Sequence, residues 1–103
     1  MKEEIIAYLK EQVGDDKELL DSLYADYCAT ATEYVEALKA TLPKADFAEL
    51  KRLAHTLKGN SAMVGDTEMN AHALAFENGA KAENLATCQA ELPELEKLML
   101  ALQ

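Results

Sequence analysis

The sequence predicts an all-α fold, an antiparallel up-and-down four-helix bundle with a short additional N-terminal helix. Three observations carry that expectation. Apolar residues recur at three- and four-residue spacing along successive segments, glycine or proline punctuates the joins, and no run alternates with the period of a strand. Long helices joined by short loops prefer antiparallel neighbours. At 103 residues and 50% hydrophobic content the chain can bury one core, so residues 1–103 are read as a single domain.

The elements follow in order. Ile5, Ile6, Leu9 and Val13 form the apolar side of a brief first helix, which Gly14 can end with a positive φ, leaving the helix free to cap one end of the bundle. Asp15 with Glu18 reads as a capping box for the second helix. Leu19, Leu20, Leu23, Tyr27, Ala31, Tyr34, Val35, Leu38 and Leu42 keep its helical period until Pro43 stops it. A second box, Asp46 with Glu49, opens a helix over residues 46–64 that Gly65 can close through a left-handed cap. Asp66 or Thr67 can cap the next helix, whose apolar set is Met69, His72, Ala73, Phe76 and Ala80. Its Asn78-Gly79 pair predicts an early end. Leu85, Cys88, Leu92, Leu95, Met99 and Leu102 make the seam of the last helix, with a kink or restart near residue 92 because Pro93 removes a backbone donor.

Composition excludes several classes of function. A net charge of −9 argues against nucleic-acid binding, which rests on clustered Lys and Arg. No apolar run approaches a membrane span, and Glu3 and Glu4 stand where a signal peptide wants positive charge, so a cytoplasmic chain is expected. Cys28 and Cys88 lack the spacing of metal ligands and read as reduced, small apolar residues.

The distribution of charge singles out one region. Residues 44–58 hold Lys44, Lys51, Arg52 and Lys58 against Asp46 and Glu49, a net +2 inside an acidic chain. On the helix of residues 46–64, Phe47, Leu50, Leu53, Ala54, Leu57 and Ser61 fall within about 80° of one another and face a core. His55 lies outside that stripe, on a face shared with Ala48, Lys51, Arg52, Gly59 and Ala62. Glycine inside a helix costs about 1 kcal/mol relative to alanine, so Gly59 needs a reason. Clearance above the imidazole is one, and close helix packing is the other. Lys58, three residues beyond His55, can meet an anion carried by the ring. Glu77, beside the apolar Phe76, is the candidate to hold the other ring nitrogen, with an ordinary solvated glutamate as the competing reading.

The pattern His55-x-x-Lys58-Gly59-x-Ser61-x-x-x-Gly65, followed by a helix containing Phe76-Glu77, resembles the histidine phosphotransfer (HPt) domain of phosphorelay signalling. The resemblance covers nearly the whole chain. It implies that His55 is a phosphoacceptor, that Lys58 offsets phosphate charge, that Glu77 orients the imidazole, and that the chain has no kinase activity of its own. It also implies docking by receiver domains of a hybrid sensor histidine kinase and of a response regulator, through Ala48, Lys51, Arg52, Gly59 and Ala62. The chain would need no cofactor and bind no metal, Mg2+ being supplied by the partner receiver, and it would act as a monomer. Two rivals are a non-catalytic helical adaptor and a metal-binding bundle built on His55, Glu77 and His72. His72 itself, on the apolar stripe without a Glu-x-x-His partner, reads better as a half-buried histidine with one hydrogen bond. Leu74 is either a partner contact or a contact for the first helix. Glutamate at 77, where an amide is the commoner resemblance, is expected to alter the rate of transfer.

Overall fold

In the computed structural model, which describes all residues from Met1 to Gln103, each helix ends where a backbone polar group finds a local partner. Five helices follow one another: α1 (Glu3–Val13), α2 (Lys17–Thr41), α3 (Phe47–Met63), α4 (Thr67–Lys81) and α5 (Leu85–Ala101), with a 3-10 turn at Leu42–Lys44. The long dimension of 43 Å, against 18 Å in the other two, follows from the 25-residue α2, which rises about 37 Å.

Side-chain caps set the starts. Asp16, Asp46, Asp66 and Asn84 accept from the backbone N–H groups of Leu19, Glu49, Met69 and Thr87. The cap of α2 is therefore Asp16 rather than the expected Asp15. Either aspartate has the right chemistry, and the turn after Gly14 brings the second one to the helix end, with Glu18 in the first turn as a dipole partner. At α3 the cap is as expected, but Glu49 turns away from it to hold Arg52 at 2.6 Å. Gly65, at φ +72°, closes α3 through paired bonds: its own N–H donates to the Ala62 carbonyl, and the Asp66 N–H to the Ser61 carbonyl at 2.9 Å.

The early end expected of one helix and the restart expected of another do not occur. Helix α4 runs through Asn78-Gly79 to Lys81, because a Cβ at position 79 would lie 2.8 Å from Thr87 Cγ2: the glycine admits α5, not a turn. Helix α5 is continuous through Pro93. Both Pro93 and Gln89, whose carbonyl loses its helical donor, are exposed, so water can satisfy the freed group.

The core is one cluster fed by every helix, with Ile5, Leu38, Leu50, Leu57, Met69, Phe76, Leu95 and Leu102 fully buried. Helix α2 packs on α3 and α5, and α4 packs between α3 and α5. Leu19, expected inside, is 40% exposed, and Tyr24 takes an interior place instead. The Tyr24 hydroxyl receives the Lys2 N–H at 2.8 Å and donates to the Leu102 carbonyl at 2.7 Å, tying both ends of the chain to α2. Beside it, fully buried Asp66 accepts from Tyr27 Oη at 2.7 Å and from Lys2 Nζ at 3.2 Å. Burial and the bond to Asp66 push the Tyr27 phenol up, so it stays a donor. No helix is long and apolar enough to cross a membrane.

Candidate functional site

His55 occupies the middle of α3, and the reason it is exposed is local: Leu53, Ala54 and Leu57 take the inward positions around it. Its side chain is 66% exposed. One turn further, a Cβ added at Gly59 would meet nothing within 4 Å. No neighbouring helix therefore packs against that glycine. Ala48 and Ala62, on the same face, are exposed and equally small.

Helix α4 supplies the other half. Glu77 is largely covered, and its two oxygens are divided between two partners on α3: Oε2 lies 2.7 Å from His55 Nδ1 and Oε1 lies 2.6 Å from Lys58 Nζ. Burial pushes the Glu77 carboxyl up, but bonds from Lys58 and His55 outweigh it and hold the group below the usual carboxylate range. An ionised carboxylate only accepts, so Nδ1 carries the proton, and in the neutral ring Nε2 is the nitrogen that holds the free lone pair. The structure thus brings His55, Lys58 and Glu77 together, and Glu77 is no free solvated side chain.

Two details differ from the charge pattern in the sequence. Lys58 is expected to wait for an anion on the ring, whereas here it is paired with Glu77. Arg52 is expected to be a docking cation, whereas both its Nε and its Nη2 bond to Glu49, which offsets its charge. Of the four basic residues in the 44–58 segment, Lys44 and Lys51 have no ion partner.

The remaining candidates fall elsewhere. Ser61 is buried and its hydroxyl donates back to the Lys58 carbonyl at 2.8 Å, the core role expected of it. The same carbonyl accepts from Asn70 Nδ2 at 2.9 Å, a cross-link to α4 whose signal in the sequence is only that Asn70 lies on the Glu77 side of its helix, seven residues back. His72 is 37% exposed and bonds once, Nδ1 to Glu91 Oε2 at 2.7 Å. Its partner is on α5, so His72 does not join His55 and Glu77. No three His, Cys, Asp or Glu side chains converge as a metal site would need. Leu74, three residues before Glu77 and 40% exposed, borders the histidine face.

A family model described as Hpt domain matches residues 22–103, from the first turns of α2 to the end of the chain. The chain belongs to the Hpt domain family. No curated protein and no solved structure matches it. Hpt domains carry out histidine phosphotransfer in two-component phosphorelay signalling and interact with the receiver domains of phosphorelay proteins. Helix α1 lies outside the matched residues, yet it packs Ile5 and Leu9 into the same core and lays Tyr8 against Gly65.

Proposed function

We propose that this Hpt domain is a phosphorelay intermediate in which His55 reversibly accepts a phosphoryl group from a receiver aspartate of a hybrid sensor histidine kinase and passes it to the receiver of a response regulator. The observation that carries the reading is the divided Glu77 carboxylate, which holds one ring nitrogen of an imidazole that is otherwise 66% exposed, one turn before Gly59.

The chemistry balances without a proton leaving the site. Nε2 attacks phosphorus, the N–P bond forms, the P–O bond to the aspartate breaks, and its electron pair returns to the departing carboxylate. The ring then carries positive charge with Nδ1–H still donating to Glu77, so the carboxylate stabilises what the transfer creates. Lys58, on the other oxygen, limits repulsion between Glu77 and the incoming phosphoryl group. Ala48, Gly59 and Ala62 supply exposed surface with little side-chain bulk for a receiver to approach, and Lys51 a free cation at its edge. Arg52, tied to Glu49, contributes less charge.

In this reading the partner receiver supplies Mg2+ and the chain holds no cofactor of its own. It acts as a monomer in the cytoplasm, as one domain, with α2 to α5 as an antiparallel four-helix bundle; short loops and the sequence of neighbouring helices support that arrangement.

Incubation with a phosphorylated receiver tests the proposal. Label is expected on the parent chain and absent from His55→Gln. Stable binding of the receiver with no label on the parent would instead establish the adaptor.

A further inference from the structure

Four of the ten basic side chains, Lys10, Lys44, Lys51 and Lys81, have no carboxylate within ion-pair distance. Two of these, Lys51 on α3 and Lys81 on α4, line one open hollow of about 260 Å³, floored by Phe47, Ala48 and Ala80. Glu83 is on its rim and forms no ion pair with either lysine. The hollow continues the histidine face. Lys51 is one turn before His55 on α3, and Lys81 is one turn after Glu77 on α4, so the two cations flank the groove on the same side of the His55–Glu77 pair. On the opposite side of that pair Lys58 is bound to Glu77, and Gly59, Ala62, Leu74 and Asn70 are uncharged.

We infer that Lys51 and Lys81 together form a cationic docking subsite for acidic side chains at the rim of the receiver's phosphorylation pocket, and that Lys81, not Arg52, is the second cation of that subsite. The inference rests on the receiver-transfer reading and deepens it by fixing how the partner is turned. Charge complementarity identifies the occupant. A pocket that holds a divalent cation and an aspartyl phosphate is lined by carboxylates, and this chain is otherwise acidic enough to repel it. Four residues of helix place Lys51 about 6 Å along its axis from His55, and Lys81 about 6 Å along its own axis from Glu77. At that offset they meet the rim of the pocket, while the phosphoryl group stays in line with Nε2. Because the unpaired cations sit at only one end of the groove, a receiver turned by half a revolution would bring its carboxylates to the end without a free cation and lose the attraction. The sequence carries the signal for Lys81 in its i+4 spacing from Glu77, but a count of charge along one segment cannot see a partner from another helix.

The test measures transfer from a phosphorylated receiver to the parent, Lys51→Glu, Lys81→Glu, and Lys97→Glu, the last making the same change in net charge on the exposed side of α5. At low salt, Lys51→Glu and Lys81→Glu are each expected to lower kcat/KM about tenfold, mainly through KM, and Lys81→Gln by less. At about 0.5 M salt, where screening reaches only a few ångströms, the losses are expected to shrink below about twofold. Lys97→Glu is expected to match the parent. Circular dichroism of each variant shows that the fold is retained. If Lys81→Glu and Lys97→Glu transfer alike while His55→Gln takes no label, the subsite is wrong and the relay reading stands. If the parent itself takes no label, both fall.

Discussion

Replacing Glu77 by glutamine isolates the charge of one carboxylate in the transfer equilibrium. The amide keeps an oxygen for Nδ1–H, so geometry is largely preserved while the negative charge is removed. The nucleophilic form of the ring is neutral, whereas the phosphorylated ring is a cation, and Nδ1 of the unphosphorylated chain lies 2.7 Å from the Glu77 carboxylate. A hydrogen bond between charged partners contributes about 1–1.5 kcal/mol more than one from a neutral donor. His55 is 66% exposed and Lys58 shares the carboxylate at 2.6 Å, so screening reduces that gain to about 1 kcal/mol. This corresponds to a shift of about fivefold in the ratio of phosphorylated chain to phosphorylated receiver. The assay is the equilibrium distribution of labelled phosphoryl groups between a purified receiver and either form of the chain. Glu77→Gln is expected to move label toward the receiver. A ratio within twofold of the parent, or a move toward the chain, would refute the claim that Glu77 stabilises the phosphorylated ring.

Other outcomes follow from the glycines, the tyrosine and the carboxylate. Gly59→Ala should raise stability by up to about 1 kcal/mol in urea unfolding, since nothing lies within 4 Å of the new Cβ, whereas Gly59→Phe should keep the fold and slow transfer by about tenfold or more. Gly65→Ala should cost about 2–3 kcal/mol, combining a positive φ with a Cβ placed 2.5 Å from Tyr8 Cγ, and an unchanged urea midpoint would contradict the cap. Tyr24→Phe should cost about 1–2 kcal/mol by the same measurement, because the Leu102 carbonyl loses its donor and the Lys2 N–H its acceptor. Glu77 titrates below the ordinary glutamate value of 4.5, so its contribution to stability is complete above that pH and is lost as pH falls through the depressed value. Urea midpoints measured from neutral to acid should therefore fall less steeply for Glu77→Gln than for the parent.

The helical order, the apolar seams and the histidine face were legible because each depends on spacing within one segment. His55, Gly59 and Ala62 share a face by periodicity alone, and Gly65 closes α3 as its position suggests. What was not legible depends on another segment or on neighbouring residues of like chemistry. Asp15 and Asp16 are equivalent as caps until the turn after Gly14 chooses between them. Asn78-Gly79 has the composition of a turn, yet Thr87 on α5 occupies the space above the glycine and α4 continues. Pro93 removes a donor but does not end the helix, since it and Gln89 are both exposed and water can serve the freed carbonyl. The basic character of residues 44–58 is a sum over charges, and Arg52 and Lys58 spend theirs on Glu49 and Glu77. The buried network of Lys2, Tyr27 and Asp66 joins residues up to 64 positions apart and leaves no local signature.

The most direct measurement is long-range proton–nitrogen NMR of the imidazoles in the chain before and after phosphorylation by a receiver. A His55 ring protonated at Nδ1 with Nε2 bare is expected first, then phosphorus coupling at His55 Nε2 with the Nδ1 proton retained. Coupling at Nδ1, or at the ring of His72, would contradict it.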